Sequence, residues 1–365
     1  CAMMVSHPAL SVVIPTRNER ENIPRLLVAL RTALGSLDHE LVFVDDSTDG
    51  TDAVLAEAAR SDPRITVHHR EQGDGLAGAV VVGFRIGRGE VLGVLDADLQ
   101  HPPEVLAALM RHLEEERADL AVASRYLPGA GRPGLSPWRR MVSQATRLLA
   151  WALLGAARRS TDPLSGCFVV RRSVVEGVTL RPVGFKVLLE ILARGRYRRV
   201  AEAPYIFEAR GAGQTKATLR QGLDLFRHIA VLVAASPADS RLWKFLLVGS
   251  SGVAVNMVVF WLLTQPGGVH YLRAGVVAGL VSTFTNFLLN NAYTWADRKE
   301  GALSSFVQRM GKYYMGTWAG YLVYLGFLWG LTHVGLIPMV SNLIAIGLGG
   351  LLNFVIHNLW TWRQR

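Results

Sequence analysis

The chain has 365 residues, half of them hydrophobic and 19% charged, so it has too much apolar surface to bury for a disordered or collagen-like chain. This length predicts two or three domains, and two cysteines, Cys1 and Cys167, exclude a disulfide framework. The formal charge of +10 fits either nucleic acid or an anionic membrane surface, and its distribution decides between them.

Residues 1–9 lack the apolar core of a secretory leader, so none is expected. Apolar, β-rich runs follow at 10–14, 41–44, 65–67, 91–95 and 119–123, separated by helical stretches such as 22–34 and 52–60. The alternation predicts an α/β domain, a largely parallel sheet with helices on its faces. Each run ends in polar groups: Pro15-Thr16-Arg17-Asn18-Glu19, Asp45-Asp46-Ser47, Arg70-Glu71, Asp96-Ala97-Asp98 and Ser124-Arg125-Tyr126. Ligands on such sheets bind beyond the carboxyl ends of the strands. The five loops therefore predict one cleft for a large, polar ligand.

Gly73-Asp74-Gly75-Leu76-Ala77-Gly78 matches the GxGxxG dinucleotide pattern, with Asp98 twenty residues beyond Gly78. That fingerprint belongs after the first strand, whereas this segment follows the third, so small residues for close helix–sheet packing are the expected reading. Asp96 and Asp98 are more informative. With Gln100 they supply hard oxygen donors suited to Mg²⁺ or Mn²⁺ held largely through a substrate's phosphates. Asp45 and Asp46, in the same predicted cleft, are suited to ribose hydroxyls or a base. A nucleotide sugar is the simplest ligand that uses all of these groups.

Segment 139–159 has basic ends, Arg139, Arg140, Arg158 and Arg159, around an uncharged stretch at 148–157; segment 218–235 mixes Arg220, Arg227 and His228 with apolar residues. Both read as amphipathic helices at a membrane surface, the first equally as a buried core helix. Beyond Lys244 the charges almost vanish. Charge-free stretches of 28, 23 and 50 residues follow Lys244, Arg273 and Lys312. A spanning helix needs roughly 20 such residues, which predicts four spans at about 244–264, 271–295, 313–333 and 338–361. Seven of the nine tryptophans lie at or beyond Trp243, several near predicted span ends, as an interfacial belt requires. Arg298, Lys299, Arg309 and Lys312 between the second and third spans, with Arg363 and Arg365 at the C-terminus, place residues 1–243, that loop and the C-terminus in the cytoplasm. Residues 244–365 hold 8 basic and 2 acidic residues, leaving 31 and 27 for the first 243, a balance that argues against nucleic acid as a partner. Span two ends in Asn291-Ala292-Tyr293-Thr294-Trp295 and span four in Asn358-Leu359-Trp360-Thr361-Trp362, which suggests a duplicated hairpin.

Together the motifs carry a resemblance. Val13-Ile14-Pro15-Thr16-Arg17-Asn18-Glu19, Val44-Asp45-Asp46-Ser47-Thr48-Asp49-Gly50-Thr51, Asp96-Ala97-Asp98-Leu99-Gln100-His101-Pro102-Pro103-Glu104 and Ser124-Arg125-Tyr126 resemble the inverting family 2 glycosyltransferases of GT-A fold. Among these the chain is most similar to polyprenol and dolichol-phosphate mannose synthases. Further matches are Asp162-Pro163-Leu164-Ser165-Gly166-Cys167-Phe168, Gly184-Phe185-Lys186-Val187-Leu188-Leu189-Glu190 and Arg210-Gly211-Ala212-Gly213-Gln214-Thr215-Lys216. The four-span tail resembles a GtrA-like membrane domain. Cys167 departs from a position often aromatic in the family, and Ala212 replaces a second arginine.

The resemblance implies a cytoplasmic GT-A domain over 1–217, an interfacial helix or linker over 218–240 and a membrane domain over 241–365, in the plasma membrane. It implies transfer of a hexose, foremost mannose from GDP-mannose, to polyprenyl or dolichyl phosphate. Pro15, Arg17, Glu19, Asp45, Asp46, Arg70, Asp96, Ala97 and Asp98 would face the nucleotide sugar, and Asp96, Asp98 and Gln100 the metal. Arg125, Arg139, Ser143, Arg210 and Lys216 would face the acceptor phosphate, with Asp96, Asp98 and Arg125 at the reacting centre. Transfer of glucose or an aminosugar from a UDP-sugar is the alternative. A processive polysaccharide synthase is a further one, for which Gln144-Ala145-Thr146-Arg147-Leu148 is a near miss lacking the tryptophan of Gln-x-x-Arg-Trp. A non-enzymatic lipid transporter is the third.

Overall fold

The computed structural model describes residues 7–71, 73, 75–209, 219–298 and 303–362. The chain divides into two compact units, Cys1–Ala234 and Ala235–Arg365.

The first unit runs β1 (Leu10–Thr16), α1 (Ile23–Leu34), β2 (His39–Asp45), α2 (Thr51–Ser61), β3 (Ile65–His69), α3 (Leu76–Ile86), β4 (Val91–Val94), α4 (Glu104–Glu115), β5 (Leu120–Ser124), α5 (Pro137–Leu153), β6 (Phe168–Arg171), α6 (Arg172–Val175), α7 (Val187–Arg194), β7 (Val200–Pro204) and α8 (Leu219–Ala235). The seven strands form one sheet in the order β3-β2-β1-β4-β6-β5-β7. β1 pairs in parallel with β2 and β4, with Thr16 opposite Asp45, so both strands deliver their last residues to the same edge. Burial on both faces explains why these strands read as unbroken apolar runs.

The sheet is mixed rather than parallel throughout: β6 lies between β4 and β5 and runs antiparallel to both. The chain enters β6 from the edge at which β5 ends, so β6 must run the opposite way. β6 runs straight into α6 at Arg172 with no polar turn to bound it, and β7 carries Glu202 and ends at Pro204, so neither reads as an apolar run closed by a loop.

α1 buries Ile23, Leu26, Leu30 and Leu34, the spacing of one helical stripe, and α4 buries Val105, Leu106, Leu109, Met110 and Leu113. Each such side chain contributes about 1.5–3 kcal/mol by burial. On the other face α3 sits close to β1 because Gly83 presents no Cβ to Val13. A third cluster joins α5, α7 and α8: Ala150 and Leu154 meet Leu189, Leu225, Ile229 and Leu232. The outer sides of α5 and α8 leave Trp138, Met141, Val142, Leu148, Leu223, Phe226 and Val231 exposed.

The second unit comprises α9 (Pro237–Thr264), α10 (Tyr271–Leu289), α11 (Leu303–His333) and α12 (Pro338–Ile356), α9 packing on α10 and α11 on α12. Among the described residues, α9 is the one helix long and apolar enough to cross a membrane by length and composition. α10 and α12 each run on into a wide π-type turn, Asn290–Thr294 and His357–Thr361, and these are the two segments with matching sequence. The turns bring Trp295 and Trp362 into a parallel stack, centroids 4.2 Å apart. Trp295 Nε1 donates to Asn358 Oδ1 and Trp362 Nε1 to Asn291 Oδ1, both at 3.3 Å, a reciprocal exchange that follows the repeat.

Candidate active site

The carboxyl ends of β1, β2 and β3 are tied together by their own polar groups. Asp45, fully enclosed, accepts from Thr16 Oγ1 at 2.7 Å, from Ser47 Oγ at 2.5 Å and, on its other oxygen, contacts His69 Nδ1 at 2.9 Å. Asp45 thus faces these loops rather than open space. Asp46, next along, reaches the cleft edge and takes both prongs of Arg70, Nε at 2.7 Å and Nη2 at 2.6 Å. Gly73 passes so close to Asp46 that a Cβ there would collide with the carboxylate. That close approach, with Gly75 at positive φ before α3, accounts for the glycines of the GxGxxG look-alike at Gly73 and Gly75; Asp74 lies outside the described residues. Asn18, at φ 56°, donates its amide to Ser47 Oγ at 2.7 Å and accepts from Thr48 N at 2.9 Å. Glu19 donates its amide to Thr51 Oγ1 at 3.1 Å, Pro15 is buried within β1, and Arg17 is exposed.

Beyond β4 the chain turns sharply through Asp96-Ala97-Asp98-Leu99-Gln100, with Leu99 in the left-handed region at φ 61°. Gln100 N donates to Asp98 Oδ1 at 3.1 Å, and the Gln100 side chain and backbone are both tied to Glu208. Asp96 keeps about 29% of its side chain exposed, whereas Ala97, Asp98 and Gln100 are buried. Gly166 lies against Asp96 so tightly that any Cβ would strike the carboxylate. His101 Nδ1 stands 3.5 Å from Asp96 Oδ2 without forming a hydrogen bond. Burial, then Arg125 and Lys186, push the His101 imidazole well below its usual pKa, so it is neutral. Its ring stacks on Tyr205 with centroids 5.2 Å apart. Among the described residues no three His, Cys, Asp or Glu side chains converge as a metal cage.

The β5 end supplies the cations. Arg125 forms a bidentate pair with the buried Asp162, and Ser124 Oγ meets Thr161 Oγ1 at 2.6 Å. Burial works against the Arg125 charge, but Asp162 outweighs it and the guanidinium is held more firmly protonated than usual. Ser143, on α5, meets the Tyr126 hydroxyl at 3.0 Å. Arg139 lies one turn earlier on α5, its amide capped by Ser136. Lys186 donates to the Leu164 carbonyl at 2.6 Å; burial, then Arg125, lower its pKa to about 8, while Asp96 and Asp162 act against them.

Asp46 and Arg70 beyond β2 and β3, the Asp96-Asp98-Gln100 turn beyond β4 and Arg125 beyond β5 thus share one sheet edge, while Arg139 and Ser143 lie on α5. Arg210 and Lys216 lie outside the described residues. Asp162 and Lys186 lie within the family motifs, and the position of Lys186 at the start of α7 is the one local mark either carries. Tyr126 stands in a strand-end segment expected to line the cleft, whereas nothing local marks Arg147 or Tyr205 as neighbours of the site.

Comparison with known proteins agrees with this arrangement. Glycosyl transferase family 2 matches residues 11–178, and the GtrA/DPMS transmembrane domain matches residues 244–362. The chain is 35% identical over 353 residues to a dolichol-phosphate mannosyltransferase of Pyrococcus furiosus, covering 97% of this chain and 99% of the relative. It is 39% identical over 215 residues to the polyprenol monophosphomannose synthase of Mycolicibacterium smegmatis, covering 56% of this chain and 79% of that one. A dolichol-phosphate mannosyltransferase of Saccharomyces cerevisiae is 35% identical over 219 residues, 56% of this chain and 80% of the relative. The chain therefore belongs to the dolichol-phosphate mannosyltransferase family, as a member whose family 2 glycosyltransferase domain continues into a GtrA/DPMS transmembrane domain.

Proposed function

We propose that the protein is a membrane-bound inverting transferase that moves mannose from GDP-mannose to the phosphate of a polyprenol or dolichol. The observation that carries this reading is the pairing, at one sheet edge, of a carboxylate turn (Asp96, Asp98) with a buried, fully charged arginine (Arg125). One set suits the diphosphate of a donor through a metal, the other an anionic acceptor. The acceptor is a phosphate monoester, largely dianionic at pH 7 because its second pKa is near 6. It is therefore already a nucleophile, and the site needs cations and alignment more than a general base. The acceptor oxygen forms a bond to C1 of the sugar as the bond from C1 to the β-phosphate oxygen breaks, and GDP leaves.

Asp96, Asp98 and the Gln100 amide would hold Mg²⁺ or Mn²⁺. The donor set is all oxygen, Asp96 is partly open, and Gly166 leaves its carboxylate uncovered where a side chain would close it. Such a metal keeps few protein ligands and completes its shell with substrate phosphates and water; when bound it neutralises charge on the leaving diphosphate. Asp46, Arg70, Arg17 and Glu19 are assigned to the nucleotide, with Asp45 holding their loops in place. Arg125, Arg139 and Ser143, with Arg210 and Lys216, are assigned to the acceptor phosphate. The exposed apolar residues of α5 and α8 would rest on the cytoplasmic membrane surface, and α9 to α12 would supply four spans, with the catalytic unit and the C-terminus cytoplasmic. The test is transfer by the full chain in detergent, from GDP-mannose and from UDP-glucose, to polyprenyl phosphate. Mannolipid formed in preference to glucolipid supports the reading, glucolipid in preference moves it to the UDP-sugar alternative, and no glycolipid from either donor overturns it.

A further inference from the structure

Tyr126 lies inside a clasp of guanidinium groups. The guanidinium carbon of Arg147 is 3.9 Å from the ring centroid, that of Arg132 4.7 Å and that of Arg125 5.8 Å. Arg147 also lies 4.5 Å from the Trp151 ring and donates Nη1 to the Thr161 carbonyl at 3.1 Å. Its Nε–H is buried and, among the described residues, has no hydrogen-bond partner. Asp162 balances Arg125, but among the described residues neither Arg132 nor Arg147 has a carboxylate partner. Arg132 and Arg147 are instead held against the Tyr126 ring by cation–π contact.

The connections of the clasp lead to the acceptor side of the site. Thr161 takes Arg147 and its neighbour Asp162 takes Arg125, so one short turn fixes both arginines. That turn is itself anchored by Glu202, which accepts from Ser160 Oγ, Thr161 N and Thr161 Oγ1 at 2.7–3.0 Å. Arg139, Ser143 and Arg147 are spaced four apart on α5 and share one face of the helix. Between Arg147 and Ser143 stands Tyr126, stacked on the first and bonded through its hydroxyl to the second.

We propose that Arg147 and Tyr126 extend the acceptor site: Arg147 is a positioning residue that fixes the Tyr126 ring, and Tyr126 in turn holds Ser143 against the phosphate of the lipid acceptor. The proposal rests on the acceptor reading given above. A lysine keeps the charge of Arg147 but loses the flat face that stacks on Tyr126. A phenylalanine keeps the ring of Tyr126 but loses the bond to Ser143.

The experiment uses the full chain in detergent with GDP-mannose and a short polyprenyl phosphate. It measures acceptor KM, kcat and nucleotide Kd for Arg147→Lys, Tyr126→Phe and the double variant, with thermal melting alongside. Each single variant should raise the acceptor KM about three- to tenfold, the range expected when one hydrogen bond near a charged ligand is lost. Nucleotide Kd should stay within about twofold of the parent's. Because both residues act through Ser143, the double variant should add little to either single one. An unchanged acceptor KM in both singles, in a protein whose parent form transfers mannose, overturns the inference. So does an equal loss of nucleotide affinity with a lowered melting temperature, which marks a purely structural role. Tyr126→Phe, nearly isosteric, keeps the test decisive if Arg147→Lys does not fold. A parent protein with no transfer overturns the functional reading itself and, with it, this inference.

Discussion

Arg125 and Asp162 meet through two parallel N–H···O bonds, Nε to Oδ2 at 2.7 Å and Nη2 to Oδ1 at 2.9 Å, with Asp162 fully enclosed. A fork of this kind fixes the plane of the guanidinium as well as its position. It also joins the end of β5 to the turn before β6, two segments 37 residues apart. Removing the acid leaves a desolvated cation without a partner, which costs about 3–5 kcal/mol. Asp162→Asn should therefore lower the melting temperature sharply, whereas Arg125→Lys should keep more of the fold and lose the fork. For Arg125→Lys, kcat/KM for the acceptor should fall roughly ten- to a hundredfold, with nucleotide affinity nearly unchanged. Calorimetric titration of nucleotide beside acceptor kinetics checks this; equal damage to both substrates would refute the two-site division.

The carboxylate turn after β4 gives the second prediction. Excess chelator should stop transfer, and Mg²⁺ or Mn²⁺ should restore it. Asp98→Ala should cost several kcal/mol of transition-state stabilisation, about a hundredfold or more in rate, because the diphosphate then leaves without its counter-charge. Undiminished turnover in excess chelator contradicts the assignment of Asp96, Asp98 and Gln100.

Glu190 joins α7 to α8 and sets an acid limit on stability. Its carboxylate, fully enclosed, contacts His228 Nε2 at 2.8 Å and Arg194 Nε at 2.8 Å, and accepts from Arg181 N at 2.9 Å. Burial opposes the charge, but the contacts with His228, Arg181 and Arg194 outweigh it and hold the carboxyl below its usual range. A carboxylate depressed on folding contributes stability that is present above its unfolded pKa and lost as pH falls through the folded one. Melting temperature should therefore decline below about pH 4.5. In Glu190→Gln that acid decline should be shallower, at a cost near neutrality of about 1–3 kcal/mol. Parallel melting curves for parent and variant between pH 7 and 3 would show that Glu190 has no part in it.

The strand-end loops were legible because strands buried on both faces are apolar throughout, so charge at their carboxyl ends stands out. Asp96 and Asp98 could be read that way, and so could Asp46. The partner relations could not. Asp162 reaches Arg125 because β6 turns back into the sheet, and β6 merges with α6 in sequence without a turn to mark it. Arg147 looked like a fragment of a different motif, since its meaning lies in Tyr126, 21 residues away in sequence and 3.9 Å away in space. Asp45 shows the opposite failure: its residue type suggested a ligand, while its burial makes it a brace for the loops.

The repeat in the second unit yields a final prediction, because its symmetry is imperfect. Trp295 and Trp362 stack and exchange hydrogen bonds with Asn358 and Asn291. Asn358 carries an additional load: its Oδ1 also accepts from Arg298 Nη1 at 3.0 Å, and the same nitrogen reaches the carbonyls of Asn358 and Trp362. Asn291→Ala strands the indole donor of Trp362, at about 1–3 kcal/mol for a buried donor left unsatisfied. Asn358→Ala strands the Trp295 indole and also takes one acceptor from a guanidinium. Its cost should exceed that of Asn291→Ala by about 1–2 kcal/mol, less than a full charged hydrogen bond because two carbonyls still receive Arg298. Replacing either tryptophan by phenylalanine removes the N–H while keeping a ring to stack, so in an Asn358→Ala background Trp295→Phe should add little further loss. Denaturation of the full chain in a fixed detergent, followed by tryptophan fluorescence, ranks the variants. Equal losses for the two asparagine variants would show that the Arg298 bond contributes nothing and that the two halves are energetically equivalent.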